Sequence, residues 1–410
     1  MRHVLFLSAG LILAGLTLAG CSAEPHISQA RIAQVHEQTL TLDTHIDIPL
    51  NYITEIDPSG ATDLQVDLPK LQAGGLDSGF WIIYTPQGDL TEDGYAQGLK
   101  IAEIRNAAIE KLVSIHHKSF TIARTSQDVR GSTADGKYAV LIGMENSYPL
   151  GESVEAVPMW AERGVRYMGI THFGHNQFGD SSNLNFTRDN GPKWNGLSPL
   201  GQDLVRAMND NGIMVDVSHA GKETMMQAAD LSRSPIIASH SGAKAIGDSA
   251  RNLDDEQLRK IAEVGGVAQM VALNVYVKPL TEAQVKLRDD IRKEMGLDTS
   301  EARSNMSESV EADYEQRLEE MWEIEPAATV ADLVDHIDHA VKIAGIDHVG
   351  IASDFDGGGG VTGWEDAAQT QNVTAELLRR GYSEADIGKI WSGNLLRVLD
   401  AAQAAAKTSP

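Results

Sequence analysis

Short apolar runs alternate with amphipathic stretches along most of the chain. Eight of these runs are nearly continuous in apolar residues, which is typical of strands buried on both faces of a parallel sheet. The eight runs are 40–48, 76–84, 138–144, 165–171, 213–218, 235–239, 266–273 and 348–353. Between them, 99–116 and 199–211 carry apolar residues at helical spacing, and 254–263 begins with acidic residues suited to a helix N-terminus.

Eight strand-and-helix units predict the fold class α/β, with a TIM-type (β/α)8 barrel as one domain over 31–400. An open doubly wound sheet is the alternative, and the lack of a G-x-G-x-x-G motif after the first strand disfavours it. A charged segment at 279–326 is typical of two exposed helices inserted between strands 7 and 8. We interpret it as a solvated helical hairpin, with a lid or dimer contact over the active-site face as the sharper alternative.

The two ends of the chain are typical of segments outside the folded domain. Basic residues precede an apolar run from 4 to 18 that is too short to favour a membrane span. The run ends in LAGC, a lipobox pattern that predicts lipidation of Cys21, with an ordinary secretory signal as the alternative. We therefore expect a lipoprotein signal peptide at 1–20, an N-terminal tether at 21–30 and a flexible tail at 401–410.

Charge and cysteine content narrow the classes of function. The 410 residues include 58 Asp and Glu and 34 Lys and Arg, and the net charge of -24 argues against nucleic acid and anionic lipid as partners. Membrane contact is expected only through the lipid on Cys21, on the periplasmic side of the envelope, and Ser22 favours the outer membrane. Cys21 is the one cysteine, so the folded domain has no disulfide and depends on its core.

The residues at the ends of the predicted strands carry the candidate chemistry, because active sites of (β/α)8 barrels lie at the carboxyl ends of the strands. Six of the eight runs contain or precede a His, Asp or Glu at that end. These residues are His45 and Asp47, Glu145, His172, His219, His240 and Asp354. The chain has only 13 His, so four of them at strand ends indicate a site rather than chance.

Five of these side chains form a donor set for two metal ions. His45 and Asp47 are two residues apart in a strand, so they point to the same face. Glu145 has two oxygens that can bridge two ions, and His219 and His240 can supply imidazoles from adjacent strands. Taken singly, each residue has a simpler explanation as a buried or capping side chain. Together they suit two Zn²⁺, with Mn²⁺ or Co²⁺ as substitutes, and such a pair activates a bound water.

Three further residues are candidates for catalysis and substrate binding. Asp354 is placed to take the proton of the attacking water and pass it to the leaving amine, whereas Asp356 is better explained as a turn residue. His172 could hydrogen-bond the developing oxyanion or only cap a strand. Arg251 could hold a substrate carboxylate through two hydrogen bonds, although spacing alone favours a surface arginine.

From about residue 43 to 398 the chain resembles the membrane (renal-type) dipeptidases, peptidase family M19, a branch of the amidohydrolase-like barrels. The motifs that carry the resemblance are D-x-H-x-D at 43–47, GVRYM at 164–168 leading to TH at 171–172, VDVSH at 215–219, SHS at 239–241, RN at 251–252, SDFDG at 353–357 and GNLLR at 393–397. Each motif is weak alone, but the ordered set is specific.

The resemblance implies a role for each candidate. It implies zinc ligands His45, Asp47, Glu145, His219 and His240, with Glu145 as the bridge. It also implies His172 at the substrate carbonyl, Arg251 at the substrate C-terminal carboxylate and Asp354 as the proton shuttle. Family substrates are dipeptides, often with tolerance for a D-residue on the C-terminal side, and a homodimer is the family expectation.

Two departures from the family leave the substrate preference open. Where the seventh strand ends and a substrate-contacting Tyr is expected, Asn274 takes that place, and the insertion at 279–326 is larger than the loop of the mammalian members. The predicted function is a zinc-dependent dipeptidase. The alternatives are a metal-dependent hydrolase of N-acyl amino acids or other small amides, and a non-catalytic envelope scaffold, which the filled ligand positions disfavour.

Overall fold

Eight parallel strands form a nearly closed barrel in the computed structural model of the chain, which describes residues 27–184, 189–299 and 308–407 together with Ala302 and Met306. Numbered in chain order, the barrel strands are β1 Leu42–Ile46, β2 Ser78–Tyr84, β4 Tyr138–Glu145, β5 Val165–Gly169, β6 Met214–Asp216, β7 Ile237–Ser241, β8 Val267–Val271 and β9 Val349–Ala352. Each strand pairs in parallel with its neighbours. The predicted barrel is confirmed, and the open sheet is excluded.

Two hydrogen bonds close the barrel between its first and last strands. Asp354 N–H donates to His45 O at 3.1 Å, and Asp47 N–H donates to Phe355 O at 2.9 Å. A short strand that the sequence pattern did not predict, β3 Phe120–Ile122, pairs with β4 outside this closed path. The closure brings β1 beside β9, so residues some 300 positions apart in the chain meet at one rim.

Helices lie between successive strands. Those of the described residues are α1 Gln29–Gln38, α2 Leu68–Gly74, α3 Glu92–Ile115, α4 Ser126–Ala134, α5 Val157–Arg163, α6 Pro199–Asp210, α7 Lys222–Leu231, α8 Asp255–Glu263, α9 Asn274–Val277, α10 Glu282–Glu294, α11 Glu308–Leu318, α12 Met321–Ile324, α13 Val330–Ala344, α14 Gln371–Arg379, α15 Glu384–Gly388 and α16 Asn394–Ala404. The two helices predicted from apolar spacing correspond to α3 and α6, and the helix predicted from its acidic first residues corresponds to α8.

Helix α8 shows why these segments become helical. Asp254 precedes it and accepts hydrogen bonds from Glu256 N–H and Gln257 N–H, while the Gln257 side chain accepts from Asp254 N–H. This capping box satisfies N–H groups that have no partner inside the helix. Leu258 and Ile261, three residues apart, are fully buried, so one face of the helix is fixed against the barrel.

Side chains of β4 alternate between the two layers of the core. Ala139 and Leu141 belong to a cluster that joins side chains of several strands to helix α16, whereas Val140 and Ile142 belong to the larger cluster that includes most of the surrounding helices. All four are fully buried. Burial of an aliphatic side chain of this size stabilises the fold by about 1.5–3 kcal/mol, which compensates for the absence of disulfides.

The insertion between β8 and β9 forms helices, as predicted. Its described residues include α10, α11 and α12, and Ile291, Leu297 and Tyr314 make a small apolar core of their own. Gln284 donates to the backbone oxygens of Met321 and Glu325 and so ties α10 to the returning chain.

At both ends of the chain, the folded domain extends further than the sequence predicted. Helix α16 continues to Ala404 with Ala402 buried, and Lys407 pairs with Asp210 at 2.7 Å. The flexible tail predicted from residue 401 is therefore wrong up to Lys407, because the last turn of the helix packs on the barrel. At the other end α1 already begins within the predicted tether, while the signal peptide and Cys21 lie outside the described residues. Within the described ranges, none of the helices combines the length and the apolar character needed to cross a bilayer.

Candidate active site

The predicted ligands meet at the carboxyl end of the barrel. His45 lies on β1, Glu145 is the last residue of β4, and His240 lies on β7. Asp47, His219 and Asp354 follow β1, β6 and β9. The exposed fraction of each of the six residues is at most 9%. Parallel strands present the same end to one rim, so residues far apart in the chain are brought into one buried cluster.

Two residues of the cluster and one next to it have a left-handed backbone conformation, which is unusual for residues other than glycine. Asn146, directly after Glu145, has φ 72°, His219 has φ 65° and Asp354 has φ 60°. Each such residue costs about 1–3 kcal/mol and persists only where its surroundings hold it. The strained turns lie at the ends of β4, β6 and β9, where they redirect the chain at the mouth of the barrel.

The two oxygens of Glu145 face different imidazoles. Oε2 lies 3.5 Å from His45 Nε2. Oε1 lies 2.9 Å from His219 Nε2 and 3.4 Å from His240 Nε2. This is the arrangement of a carboxylate that bridges two ligand groups, the first with Asp47 and the second with His219 and His240.

Among the described residues, His45 Nε2 is a buried polar atom without a hydrogen-bond partner, and three carboxylates surround it. Asp47 Oδ2 is 3.5 Å away, Glu145 Oε2 3.5 Å and Asp354 Oδ1 3.7 Å. In the described part of the chain, no Lys or Arg forms an ion pair with any of these three carboxylates. Buried charges of one sign need a counter-charge, and imidazole with carboxylate donors fits borderline divalent ions such as Zn²⁺. The residues present therefore fit a metal pair.

The electrostatics of the cluster agree with this interpretation. Burial alone would lower the pKa of His45, but the charges of Glu145 and Asp47 raise it well above its ordinary value. Burial lowers the pKa values of His219 and His240, and Arg251 adds to the effect. These two rings are therefore neutral, which is the form that binds metal.

Asp354 lies beside the cluster with an altered pKa. Burial raises the pKa of its carboxyl to about 8, and the neighbouring charges of Asp47 and Glu145 act in the same direction. Bound cations would lower it again, because they favour the charged form. Asp354 is thus a group whose proton affinity responds to the charge of the site, as a proton shuttle requires.

His172 stands at the edge of the cluster, as the strand pattern predicted. Its Nε2 lies 3.8 Å from Glu145 Oε1. The ring packs against Tyr84 at 4.8 Å, Phe173 at 4.6 Å and His219 at 4.3 Å between centroids. Burial lowers the pKa of His172, so the neutral ring keeps one N–H to donate.

Arg251 is buried rather than on the surface, with an exposed fraction of 3%. Its guanidinium donates to Ser241 Oγ and to His240 O, both at 2.7 Å, and its Nε has no partner among the described residues. The backbone that carries His240 therefore also anchors Arg251. A buried guanidinium with a donor to spare is suited to a carboxylate ligand.

Asn274 is not brought into this group, contrary to the sequence interpretation. Its Nδ2 donates to Gly360 O at 3.2 Å, and its Oδ1 accepts from Ala328 N–H at 2.6 Å. Both ends of the amide are used by backbone groups on either side of β9, and α9 begins at this residue.

Tyr276, two residues later, lies close to Arg251. Its ring centre lies 5.7 Å from the guanidinium carbon of Arg251. Burial raises the pKa of its hydroxyl to about 12, so it remains a donor. Tyr276 was not predicted from the sequence, because the strand pattern points to the first residue after the strand, and Tyr276 lies two residues further along the chain.

Tyr84 and Arg105 were also missed. Tyr84 ends β2 and lies under the Arg105 guanidinium at 5.3 Å. Arg105 donates to Ile48 O at 3.0 Å and to Tyr84 O at 2.7 Å, so α3 fixes the ends of β1 and β2. Tyr84 could have been found by counting aromatic residues at strand ends, whereas no local signal marks Arg105.

Comparison with known proteins gives a consistent set of relatives. A family profile described as membrane dipeptidase (peptidase family M19) matches residues 29–410. Dipeptidase tcpJ of Claviceps purpurea (strain 20.1) is 30% identical over 342 residues, covering 82% of this chain and 68% of that protein. The probable dipeptidase PvdM from Pseudomonas aeruginosa has a solved structure that is 36% identical, with a TM-score of 0.83 over 92% of this chain and 98% of that chain.

A metallopeptidase from Rhodobacter sphaeroides, solved with a phosphinate mimic of the dipeptide L-Ala-D-Ala, shares the fold at 24% identity and a TM-score of 0.69. The match covers 89% of this chain and 99% of the Rhodobacter sphaeroides chain. The matches confirm the barrel and the family that the motifs predicted, and they support an enzyme that hydrolyses dipeptides with bound metal. The chain therefore belongs to the membrane dipeptidase family, peptidase family M19.

Proposed function

We propose that this chain is a dipeptidase that holds two Zn²⁺ ions, one between His45, Asp47 and Glu145 and the other between Glu145, His219 and His240. The observation that carries the proposal is the position of Glu145, whose two oxygens face His45 on one side and the other two imidazoles on the other. When bound, the ions would polarise the scissile carbonyl and lower the pKa of an attacking water.

Proton transfer is assigned to Asp354. Its Oδ1 lies 3.7 Å from His45 Nε2, so its carboxyl faces the centre of the cluster. It takes a proton from the attacking water and passes it to the leaving amine. His172, held between Tyr84 and Phe173, donates to the carbonyl oxygen as negative charge develops on it.

Arg251 and Tyr276 are assigned to the substrate C-terminal carboxylate. Both are donors, and they lie side by side on the rim between β7 and β9. Two donors that converge on one carboxylate select a substrate with a free C-terminus over an internal peptide bond. This geometry supports a dipeptide as the substrate. We extend the proposal to dipeptides with a D-residue on the C-terminal side.

The proposal is tested on protein that begins at Ser22. Metal is counted by elemental analysis, and cleavage of L-L, L-D and N-acylated substrates is assayed before and after chelation. Near two zinc ions per chain with chelator-sensitive cleavage of free dipeptides is the expected result. Cleavage of N-acyl compounds alone would change the substrate class but keep the site. Protein that binds no stoichiometric metal after refilling with Zn²⁺ would contradict the ligand assignment.

We also propose that the enzyme is exported and held to the outer membrane through a lipid on Cys21. The support is the LAGC pattern at 18–21 together with a single cysteine in the chain. In the native host, wild-type protein is expected in the detergent-extracted membrane fraction, and Cys21→Ser is expected in the soluble periplasmic fraction. Equal partition of both would contradict the anchor.

A further inference from the structure

Two buried hydroxyl groups lie directly behind the histidines of the cluster. Tyr167 Oη is 2.9 Å from His45 Nδ1, and Ser239 Oγ is 2.9 Å from His240 Nδ1. Tyr167 and Ser239 have exposed fractions of zero. Neither hydroxyl has a part in the proposed reaction, so their positions need an explanation of their own.

Each hydroxyl has a second partner that accepts its single hydrogen. Tyr167 O–H donates to Thr44 O at 3.1 Å, and Ser239 O–H donates to Asp216 Oδ2 at 2.7 Å. A carbonyl and a carboxylate only accept, so the hydrogen of each hydroxyl is committed to them. Each hydroxyl oxygen is then left to accept a hydrogen bond from the ring nitrogen beside it.

The direction of these bonds decides the tautomer of the two rings. If Nδ1–H donates to the hydroxyl, the hydrogen of the neutral imidazole is on Nδ1 and the lone pair is on Nε2. Nε2 is the nitrogen of both rings that faces Glu145. A ring held the other way would present an N–H to the cluster and could not bind metal there.

The two hydroxyls are themselves held rigidly. The Tyr167 ring packs on Phe80 with centroids 4.8 Å apart, and Gly143 leaves room for it, because a β-carbon there would lie 2.4 Å from the ring. Asp216 is fixed by Ser218 N–H and Ser239 N–H, which donate to its Oδ1 at 3.0 and 2.8 Å. Its other oxygen is therefore aimed at Ser239 Oγ.

We propose that Tyr167 and Ser239, the latter directed by Asp216, are positioning residues that hold His45 and His240 as Nδ1–H tautomers, with Nε2 free for the metal pair. The inference rests on the metal site of the proposed function. It assigns one hydroxyl relay to each ion, Tyr167 behind His45 and Ser239 behind His240, since the two histidines approach different oxygens of Glu145. Loss of one relay is therefore expected to weaken the binding of one ion and to leave the binding of the other unchanged.

Asp216→Asn separates this role from simple packing. The asparagine Oδ1 can still accept from the two backbone N–H groups, but its Nδ2 would donate to Ser239 Oγ. The serine hydrogen would then turn toward His240 Nδ1 and favour the wrong tautomer. Ser239→Ala removes one oxygen atom without changing the carboxylate. A tautomer relay predicts that Asp216→Asn weakens metal binding more than Ser239→Ala, whereas a packing role predicts that the isosteric asparagine is the milder change.

The test measures zinc affinity by competition with a chelating dye, with thermal unfolding of each protein as the check on folding. Tyr167→Phe and Ser239→Ala are each expected to weaken one of the two ions by roughly 10–100-fold, and Asp216→Asn by more. The matched controls keep wild-type affinity. They are Tyr138→Phe, a buried tyrosine at the opposite end of β4, and Ser78→Ala, whose hydroxyl donates to Thr41 O at 2.8 Å.

Two results would overturn the inference while leaving the proposed function in place. One is wild-type affinity for both ions in Tyr167→Phe and Ser239→Ala. The other is an Asp216→Asn variant that binds zinc as tightly as Ser239→Ala or more tightly. Wild-type protein that binds no zinc at all would instead contradict the proposed function.

Discussion

At the scale of single residues, the site depends on close contacts that leave no space for additional atoms. Gly357 lies against two carboxylates of the cluster. A β-carbon at this position would be 2.2 Å from Asp47 Oδ2 and 2.8 Å from Asp354 Oδ1. The glycine is therefore required by the approach of the backbone to the carboxylates. Asp356, one position earlier, accepts from Gln65 N–H and Val66 N–H and acts as the turn residue that the sequence indicated.

Gly357→Ala is expected to weaken metal binding by roughly tenfold or more, because the added methyl group displaces Asp47 from the ion it shares with His45. The measurement is metal per chain after dialysis against a weak chelator. Gly131→Ala is the control: its β-carbon would meet nothing within 4 Å, and it lies in helix α4. The control should keep its metal and gain about 0.5–1 kcal/mol in stability. Unchanged metal content in Gly357→Ala would contradict the close-contact argument.

Tyr276→Phe is expected to raise KM for free dipeptides roughly tenfold with little change in kcat, since it removes one donor to the substrate carboxylate. Asn274→Ala should behave differently. It leaves Ala328 N–H and Gly360 O without their partner, so the expected effect is a lower Tm with a smaller change in KM. Steady-state kinetics and thermal unfolding of both variants check this. A raised KM at unchanged Tm in Asn274→Ala would restore the substrate role to Asn274.

At the scale of elements, the outer helices place the loops that carry the site. Helix α3 holds the ends of β1 and β2 through Arg105, and α13 holds two further loops through His336. His336 is fully buried, accepts from Ala243 N–H and donates to Val277 O, both at 2.9 Å. The inserted helices α10, α11 and α12, by contrast, contact one another, and α10 and α11 share a small apolar core.

His336 is expected to make stability depend on pH. Burial lowers its pKa in the folded state. A second proton on Nδ1 would also break the hydrogen bond that Ala243 N–H donates to this atom. The stabilisation is therefore fully present above the unfolded pKa of about 6.5 and is lost as the pH falls through the lowered value, by up to ~1.4 kcal/mol per pH unit. Urea unfolding from pH 8 to 5 should show a steeper loss for wild type than for His336→Gln. Parallel curves would exclude His336 as the source.

Removal of the inserted helices tests what they do. Lys278 Nζ donates to Pro326 O at 3.2 Å, so the two ends of the insertion meet and a short Gly linker can replace residues 281–324. A solvated hairpin predicts unchanged metal content, an unchanged number of subunits in sedimentation and unchanged kinetics. An altered KM would identify a lid, and a change from dimer to monomer would identify a dimer contact. Loss of the fold would contradict the independent core of the hairpin.

At the scale of the whole molecule, the fold gathers three acidic side chains at the mouth of the barrel. Asp47, Glu145 and Asp354 converge on one buried point, in a chain with a net charge of -24. Burying these groups together opposes folding when no cation is bound, since buried carboxylates are screened little by solvent and a group such as Asp354 is ionised only at raised pH. The domain is therefore expected to be most stable with metal.

Chelation is expected to lower Tm by several degrees, and Zn²⁺ to restore it. Free zinc at a hundred times its dissociation constant would stabilise the fold by ~2.7 kcal/mol, because the ion binds only the folded site. Thermal unfolding with chelator, with Zn²⁺ and with Mg²⁺ makes the comparison, and Mg²⁺ should stabilise less because it disfavours imidazole. Equal Tm in all three would contradict a metal-dependent core.

The sequence by itself determined the barrel and the cluster at its mouth. Apolar residues at every second position, or in a continuous run, are local patterns that predict strands. Parallel strands then bring their carboxyl ends to one rim. His45, Glu145, His240 and Asp354 could therefore be named without coordinates. His45 was identified by its spacing of two residues from Asp47, and the other three by their place at the end of a predicted strand. Both signals depend only on neighbours in the chain.

Tertiary structure alone decided the residues that complete the site. Whether Asn274 or Tyr276 faces Arg251 depends on the path of α9, and that path is held by Ala328 and Gly360, more than fifty positions away. Likewise, the hydroxyl of Tyr167 reaches His45 only because β5 and β1 face each other across the barrel. Such contacts join residues that no periodicity relates, so only the closed fold brings them together.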